Sequence, residues 1–394
     1  MYPRKEILVF HVESSLHAGA GASVGHIDNP LQRERSTGNP IVQSNGVKGA
    51  LREFFEEARD LSDAQKTDAV FGTADGNDGS GAVAFGEARL LFFPVRSLVG
   101  VFSYITCPSV IARFQRDLVA CGKSSIFMES PDSASQPVIW DPNWVKRDKY
   151  LSHTKCMVNV PSNNRLVLEE IPFEKDGAKN IDGCLKVLAE DLFPAAGEYD
   201  HFRSEFPGRA VVLNDADYIH FVRYATEVEP HNRIGENGTV DEKTGVWYTE
   251  YLPSESILYT PLFIGRQRIR NGAVMEAEEV GKLISGVEGR RSWLGGDRTT
   301  GKGRVMMHLY GEDKKTSKTP KENATVRQPT TEGAAGGVKG SVAAAAAEGS
   351  HGKKGASQGA SASGETVRHF SLPGGQPLSA IACRFESKSR VRWI

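Results

Sequence analysis

Apolar and polar residues follow two different periods along the first 310 positions, and these predict a chain of mixed strands and helices. Apolar-rich runs at residues 7–12 and 85–94 are typical of buried strands. Apolar residues at helical spacing predict helices over 53–71, 110–120 and 183–192, while 211–222 mixes strand and turn signals. The chain shows no long internal repeat, so a solenoid is not indicated.

Residues 227–251 have the pattern of a β-hairpin. Charged and turn-forming residues, including Gly235, Gly238 and the stretch 241–245, come before an alternating run from Val246 to Tyr251. Alternation of this kind is typical of a strand with two different faces. The pattern therefore predicts a hairpin inserted into the main fold at about residues 222–252.

Composition divides the chain into a core, a linker and a tail. Residues 311–365 contain no aromatic residue, leucine, isoleucine or methionine and are rich in Gly, Ala, Ser and Lys. Such a segment cannot offset the entropy of ordering, so it is predicted to be a disordered, flexible insertion. Apolar residues return at 369–372 and 381–385, which predicts a strand-like tail over 366–394 that docks on the core or on a neighbouring copy. The folded core is then residues 1–310.

Net charge and cysteine content limit the possible classes. Lys plus Arg total 48 and Asp plus Glu total 49, so any binding of nucleic acid must rest on local basic groups. The five cysteines are scattered without a C-x-x-C pair, which favours a reducing cytoplasm over a zinc site or a disulfide framework. No stretch of about 18 apolar residues is present, so we expect no membrane span.

A glycine-rich stretch that ends in one carboxylate follows the first predicted strand. Gly19, Gly21 and Gly25 allow positive φ angles and a close approach of the backbone to a ligand. Asp28 comes directly after them. This stretch is the first candidate for a functional site.

A second feature is the start of the helix that follows. Ser44 is the expected N-cap, and Lys48 and Arg52 lie four residues apart on one face. Free N–H groups and the positive end of the helix dipole favour a phosphate there, although an ordinary capped helix start is the plain alternative. The RNA-binding candidates in this segment are Ser44, Asn45, Lys48, Gly49 and Arg52. A Walker loop is excluded, because no G-x-x-x-x-G-K-[ST] occurs in the chain.

A third feature lies at residues 293–305, where glycines alternate with cationic side chains. Backbone N–H groups and charge in such a loop can hold a phosphate chain, and the alternative is a solvated hairpin turn. The candidates in this loop are Gly296, Arg298, Lys302 and Arg304. Arg33 and Arg35 complete the basic groups that we expect to follow a guide RNA.

The residues of these segments and their order along the chain resemble those of a known family. Leu16-His17-Ala18-Gly19, Asp28-Asn29-Pro30-Leu31-Gln32-Arg33-Glu34 and Tyr248-Thr249-Glu250-Tyr251-Leu252-Pro253 resemble the RAMP superfamily of CRISPR-Cas proteins. More closely, they resemble the repeating backbone subunit of type III-B (Cmr) effector complexes. The resemblance covers about residues 5–310.

The resemblance implies a fold, partners and an activity. The implied fold is α+β, with a ferredoxin-like (RRM-type) RAMP core and the inserted hairpin acting as a thumb. The implied assembly has copies stacked head to tail on a CRISPR guide RNA with other Cmr-complex subunits. The implied activity, in antiviral defence, is endonucleolytic cleavage of complementary target RNA at regular intervals. The thumb would separate guide from target; alternatively, the hairpin only pairs with a neighbouring sheet.

The resemblance also implies the catalytic residues. Asp28 takes the catalytic position, and Glu250 and Tyr248 approach the site from the strand after the hairpin. A single carboxylate can suffice if the RNA's own 2′-OH is the nucleophile. Asp28 can then act as general base or can bind Mg²⁺ or another divalent cation, and the sequence leaves both open. His17 is a candidate proton donor or phosphate ligand, with a structural role as the alternative.

Two other functions remain open at this point. The same basic loops serve a non-cleaving guide-RNA scaffold, in which Asp28 only stabilises its loop. A guide-processing RAMP endonuclease commonly needs histidine and tyrosine, and only His17 fits that requirement. We expect target cleavage, and we expect it only in the assembled complex.

Overall fold

The computed structural model describes residues 1–311, apart from positions 24, 59, 62, 74–78, 124–144, 178–179, 196, 236–237, 241–244 and 269–273. The predicted linker, beyond its first residue, and the predicted tail lie outside the described residues. No helix in the described part of the chain is long and apolar enough to cross a membrane.

Strands and helices alternate along the described chain, so the fold is α+β. The strands are β1 Arg4–Val12, β2 Ile41–Val42, β3 Val83–Phe85, β4 Ala88–Ser97, β5 Val101–Thr106, β6 Lys149–Ser152, β7 Asn159–Val160, β8 Arg165–Leu168, β9 Ile171–Lys175, β10 Ala210–Leu213, β11 Glu227–Asn232, β12 Val246–Tyr251, β13 Ile257–Ile264, β14 Arg291–Trp293 and β15 Arg304–Leu309. The helices are α1 Ser44–Glu57, α2 Ala64–Phe71, α3 Pro108–Ala120, α4 Asp182–Leu192, α5 Asp200–Arg209, α6 Asp215–Tyr224 and α7 Ala277–Ser285.

The first part of the main sheet is antiparallel and is built around β1. Its strands lie in the order β14, β15, β1, β13 and β4. Ile7 pairs with Pro261 of β13, and Phe10 pairs with Met307 of β15. All six residues from Ile7 to Val12 are buried, which explains why this strand reads as a continuous apolar run. The strand that the sequence predicts at 7–12 is confirmed.

The second part of the sheet closes on itself. From β4 the order continues through β5, β10, β6, β9 and β8, and Ser97 of β4 pairs with Leu168 of β8. These six strands therefore form a closed, barrel-like ring, and closure removes the exposed edges of an open sheet. Two of the pairings are parallel, β5 with β10 and β6 with β9. This mixture of directions gives no simple repeat in the sequence.

The helices largely follow the predicted pattern. The predicted helices at 110–120 and 183–192 lie within α3 and α4, and 211–222 divides into β10 and α6. The single helical stretch predicted at 53–71 is wrong. α1 ends at Glu57, Ala58 is extended, and Asp63 starts α2 by accepting hydrogen bonds from the N–H groups of Gln65 and Lys66. The Asp63 cap satisfies N–H groups that a continuous helix would have used internally.

A two-stranded antiparallel hairpin lies within the predicted range 227–251. Its strands β11 and β12 pair Glu227 with Tyr251 and Asn232 with Val246. One face of the hairpin leaves Val228, Val246 and Tyr248 exposed. On the opposite face Tyr251 contacts the loop after β14, and the backbone of β12 is hydrogen-bonded to the loop that carries Asp28, so the hairpin positions the candidate site.

Candidate functional site

The glycine-rich stretch after β1 folds back on itself. Gly19 pairs with Leu31, and the Ser23 N–H donates to the Asp28 carbonyl oxygen over 2.8 Å. Asp28 is half-buried near the turn of this loop. Of the three predicted positive φ angles, only that of Gly21 is present, at 93°. Gly19 has another role, because a Cβ there would lie 2.6 Å from Nε2 of His17.

Strand β12 fixes the position of Asp28 through its backbone. The N–H groups of Asp28 and Asn29 both donate to the Tyr248 carbonyl oxygen over 3.1 Å. In return, the Tyr248 N–H donates to Asp28 Oδ2 over 2.8 Å. No donor in the described residues is hydrogen-bonded to Asp28 Oδ1. One carboxylate oxygen is thus held by the protein while the other is open to a ligand.

Glu250 is buried beneath this loop and is 3% exposed. Its Oε2 accepts the Leu31 N–H over 2.9 Å. Its Oε1 accepts the Arg33 guanidinium over 2.5 Å and the Thr226 hydroxyl over 2.8 Å. Both oxygens are therefore occupied by groups that hold the loop to the hairpin. Glu250 therefore holds the loop in place, and its catalytic role stays a prediction.

The other partner from β12, Tyr248, contributes to the site in two ways. Its backbone holds Asp28, as described, while its side chain is 43% exposed on the free face of the hairpin. The side chain is therefore available to a ligand that lies along that face.

His17 is attached to the same strand two residues further on. Its Nδ1 donates to the Glu250 carbonyl oxygen over 2.7 Å, and its ring lies 5.6 Å from that of Tyr251 in an edge contact. In the neutral ring this bond leaves Nε2 without a proton. His17 can then accept a proton or bind a donor at Nε2, and it can donate a proton there only as the imidazolium.

The second glycine-rich loop, between β14 and β15, lies directly against His17. The Gly296 N–H donates to the His17 carbonyl oxygen over 2.8 Å. At Gly295 the backbone has a φ of 84°, and a Cβ would lie 2.3 Å from that same oxygen. The fold therefore brings together two loops whose contacting residues, His17 and Gly295, are about 280 positions apart in the sequence.

Tyr251 joins this second loop to the hairpin. Its hydroxyl donates to Asp297 Oδ2 over 2.9 Å, and the Lys302 ammonium lies 4.4 Å from the centre of its ring. Burial, and then the Asp297 carboxylate, raise the pKa of Tyr251, which keeps its hydroxyl protonated as a donor. Lys302 also pairs with Glu229 of β11. Neither Tyr251 nor Asp297 was predicted from the sequence as a site residue.

Comparison with known proteins identifies the family. Residues 9–306 match the RAMP superfamily. The chain is 30% identical over 298 residues to the CRISPR system Cmr endoribonuclease Cmr4 of Pyrococcus furiosus, a match that covers 74% of this chain and 91% of Cmr4. The chain belongs to the RAMP superfamily, in the family of Cmr4. The resemblance noted in the sequence is thereby confirmed.

Solved structures of RAMP proteins have the same fold. The crystal structure of oligomeric Cmr4 from Pyrococcus furiosus matches with a TM-score of 0.58 at 25% identity, covering 78% of this chain and 98% of that chain. A subunit of the type III-B Cmr-beta complex bound to cognate target RNA, seen by cryo-electron microscopy, matches with a TM-score of 0.57 at 20% identity and the same coverage. The second likeness concerns the fold alone.

Most of the basic side chains that the sequence assigns to RNA in this RAMP chain have carboxylate partners. Arg33, placed along the guide by the sequence analysis, is instead bonded to Glu250. The other pairs are Arg52 with Glu56 and Asp68, Arg298 with Glu53 and Glu57, Lys302 with Glu229, and Arg304 with Glu13. These carboxylates therefore compete with an RNA phosphate for the same cations.

Lys48 and Arg35 differ from these paired groups. Both side chains are exposed, and neither has an ion-pair partner among the described residues. They are the members of the predicted basic set that a phosphate can reach without breaking an existing pair.

The start of α1 differs from the prediction in one detail. The helix begins at Ser44, and the N-cap is Gln43, which makes no side-chain cap. The Gln43 N–H donates to Gln32 Oε1 over 3.1 Å, and the amide of Gln32 donates to the Gly19 carbonyl oxygen over 2.9 Å. Gln32 therefore ties this helix start to the Asp28 loop, a link that no sequence pattern indicated.

The remaining candidates lie in the first turns of α1. Asn45 Oδ1 accepts the N–H of Gly46 over 2.8 Å, Ser44 is half-buried and Gly49 is exposed. The first turn contains no acidic residue. The spacing predicted that Lys48 and Arg52 share a free face of the helix. Arg52 is instead directed to α2 by Asp68 and the Gly72 carbonyl oxygen, so of these two side chains Lys48 is the one that stays free.

Few side chains at this site could serve as ligands of a divalent cation. The described residues contain no group of three or more His, Cys, Asp or Glu side chains that could hold a metal ion. Mg²⁺ is commonly bound by one or two carboxylates, with waters and substrate phosphates supplying the other ligands. The open Oδ1 of Asp28 fits that mode, in which RNA would complete the coordination.

Proposed function

We propose that the chain is a repeating backbone subunit of a type III-B CRISPR effector complex and that it cleaves target RNA paired with the guide. The observation that carries this proposal is the Asp28 carboxylate, with Oδ2 fixed by the Tyr248 N–H and Oδ1 open. The Cmr endoribonuclease Cmr4 of Pyrococcus furiosus, 30% identical, supports the assignment.

The chemistry requires one proton acceptor. The 2′-OH of the target attacks the adjacent phosphorus, the new O–P bond forms, and the bond from phosphorus to the 5′ oxygen breaks. Asp28 accepts the proton from the 2′-OH, and His17, as imidazolium, returns a proton to the leaving 5′ oxygen from Nε2. General base catalysis contributes about 10²–10⁴-fold, so in-line positioning of the RNA must supply much of the rate.

A divalent cation, Mg²⁺ in the first instance, fits beside Asp28 Oδ1. When bound it would neutralise charge on the phosphoryl oxygen and assist deprotonation of the hydroxyl. Asp28 would then hold the cation rather than take the proton itself. Cleavage with Mg²⁺ and with EDTA separates these two roles.

The hairpin β11–β12 is suited to act as a wedge between guide and target. Its free face exposes Val228, Val246 and Tyr248, which are suited to packing against an unstacked base. Unstacking a base costs a few kcal/mol, which contacts of this kind can offset. Copies of the chain would stack head to tail, so that each hairpin meets the Asp28 loop of a neighbour, and cleavage would require the assembled complex.

Two further assignments belong to this proposal. The strands β1, β4, β13 and β15 lie side by side in the order β15, β1, β13, β4, which supports a ferredoxin-like unit with α1 and α7 as its two crossover helices. The unpaired cysteines, Cys107, Cys121, Cys156 and Cys184 among them, support a reducing compartment such as the cytoplasm.

The test is cleavage of an end-labelled complementary RNA by the complex assembled with guide RNA. Wild type is expected to give evenly spaced products. An Asp28→Asn complex should bind target normally and give none. A wild-type complex that binds target without cutting it would favour the scaffold function, and a complex that cuts only precursor guide RNA would favour guide processing.

A further inference from the structure

A cavity of about 350 Å³ opens beside helix α6, on the side of the fold from which the hairpin leaves. Its volume is within the range of about 300–1,000 Å³ that small-molecule and cofactor sites occupy. Phe173 and Phe221 are buried in its wall, with ring centres 6.0 Å apart. The cavity is thus lined by aromatic side chains that are fixed by the core.

Exposed aromatic rings border the same cavity. Tyr224, the last residue of α6, is 75% exposed, and its ring centre lies 5.1 Å from that of His220. A tyrosine this accessible gains little from packing, so its ring is available to stack on a ligand. Successive bases of single-stranded RNA stack on aromatic side chains in this way.

The charge of the cavity is positive. Asp217 is the carboxylate in its lining, and it is engaged by the Arg147 guanidinium at 3.4 Å and by the Asp148 N–H at 3.2 Å. Arg223 is exposed and has no ion-pair partner among the described residues. The cavity therefore combines aromatic faces with a free cation, which complements a group that is both flat and anionic.

The Arg223 guanidinium lies against the turn that precedes Gly38. Its Nη2 would lie 2.9 Å from a Cβ added at Gly38, at the end of the turn that carries Arg35. Arg35 is itself exposed without an ion-pair partner in the described chain. These two arginines contrast with Arg298, Lys302 and Arg304, whose charges are already matched by carboxylates.

The cavity is connected to the Asp28 loop by one side chain. Arg33 donates from Nη2 to Glu250 and from Nη1 to the carbonyl oxygens of Gly38 and Val222, over 3.0 and 3.1 Å. The last turn of α6 and the Asp28 loop are therefore braced by the same guanidinium. A strand of RNA bound at Asp28 would have its neighbouring nucleotides within reach of α6.

We propose that this cavity, bordered by Tyr224, His220 and Arg223, binds one nucleotide of single-stranded RNA, with its base on the Tyr224 ring and its phosphate on Arg223. The inference rests on the proposed function, since it takes RNA as the ligand of the neighbouring loop. The nucleotide comes either from the guide or from the target, and the chemistry is the same for both.

The test uses the full chain in two arms. In the first, the chain is titrated with fluorescein-labelled guide RNA, and in the second, the guide-loaded complex is titrated with labelled target RNA. Tyr224→Ala should weaken binding about tenfold in the arm whose strand supplies the nucleotide, while Tyr224→Phe, which keeps the ring, should bind like wild type. Arg223→Gln should weaken the same arm, and Arg96→Gln, an exposed arginine that is already paired with Glu169, should not.

The outcomes separate this inference from the proposed function. If Tyr224→Ala binds like wild type in both arms while Asp28→Asn loses cleavage, the nucleotide site is wrong and the ribonuclease stands. If Tyr224→Ala alters only the sedimentation of the assembled complex, the cavity is a protein contact and the inference is also overturned. If wild type binds RNA in neither arm, both fail.

Discussion

The backbone N–H of Tyr248 donates to Asp28 Oδ2 over 2.8 Å, so the carboxylate of the glycine loop is oriented by the second strand of the hairpin. Two further hydrogen bonds, from the Asp28 and Asn29 N–H groups to the Tyr248 carbonyl oxygen, fix the same register. Any movement of the hairpin that shifts β12 therefore also shifts the carboxylate. The position of the hairpin and the orientation of the Asp28 carboxylate are therefore coupled.

Asp28→Asn should abolish cleavage without disturbing the loop. The amide oxygen can still accept the Tyr248 N–H, but the group can neither take a proton nor bind a cation strongly. We expect the single-turnover rate in the assembled complex to fall by about 10²–10⁴-fold, with target affinity unchanged. The matched control is Asp60→Asn, whose carboxylate is 66% exposed beside Arg290 and should leave the rate unaltered. If the Asp28→Asn complex cleaves at a rate within about twofold of wild type, which is roughly the error of the assay, Asp28 takes no part in the chemistry.

Glu250→Gln should lower stability before it affects chemistry. The amide presents a donor to Leu31 or Arg33 where each needs an acceptor, and the Arg33 charge loses its buried partner. Breaking a buried pair of this kind costs about 3–5 kcal/mol, which urea unfolding of the isolated chain would measure. Glu198→Gln, at an exposed pair with Arg291, should cost less than about 1 kcal/mol. A Glu250→Gln chain that is as stable as wild type but inactive would instead give Glu250 a direct role in cleavage.

The parts of the site that local patterns encode were predictable. Turn-forming glycines and alternating residues indicated the Asp28 loop and the hairpin, because both signals lie within about 25 consecutive positions, as residue ranges 19–31 and 227–251 show. The partners of Glu250 were not predictable, since Leu31 and Arg33 are 219 and 217 positions away. Nothing in a single sequence relates positions so far apart.

The availability of the basic side chains to RNA could not be judged from the sequence, for the same reason. Arg298 reads as a free phosphate ligand in its own loop, but Glu53 and Glu57, one turn apart on α1, meet it across more than 240 positions. A helix face with two carboxylates indicates that a cation will pair with it, but not which cation. The closing of the barrel by Ser97 and Leu168 is equally non-local.

Gly295→Ala should disrupt the contact between the second loop and His17. Its φ of 84° disfavours a side chain, and the new Cβ would lie 2.3 Å from the His17 carbonyl oxygen. Gly301→Ala is the matched control, with a φ of 83° and open space around the added Cβ, and should cost about 1–2 kcal/mol. Gly295→Ala should exceed that loss by about 1–3 kcal/mol in urea unfolding. Equal losses would mean that the loop can move away from His17 freely.

Lys48→Gln should weaken RNA binding and its dependence on salt. Lys48 is exposed in the first turns of α1 without an ion-pair partner in the described residues. If it contacts one phosphate of single-stranded RNA, its loss should reduce the slope of log K against log salt by about 0.7. Lys66→Gln on α2, already paired with Asp63, should leave the slope unchanged. An unaltered slope for Lys48→Gln would exclude a phosphate contact at the start of α1.

His11 should make the folded chain sensitive to acid. Burial, opposed by the hydrogen bond to the Leu192 carbonyl oxygen and reinforced by nearby His308, lowers the pKa of His11 from 6.5 to about 3, with Glu13 acting weakly in the other direction. The unfolded chain then binds a proton between pH 6.5 and 3 that the folded chain does not. The stability that neutral His11 preserves is fully present above pH 6.5 and is lost as the pH falls towards 3.

This loss can be isolated by comparing wild type with His11→Gln in urea unfolding across that range. The free energy of unfolding of wild type should fall more steeply with decreasing pH, by up to about 1.4 kcal/mol per pH unit, because glutamine has no proton to gain. Replacing His308 alone should change the pH dependence of the free energy of unfolding only slightly, since His11 stays buried. Parallel curves for wild type and His11→Gln would show that His11 is protonated in the folded chain, in conflict with its 5% exposure and its place against the Phe193 ring at 4.6 Å.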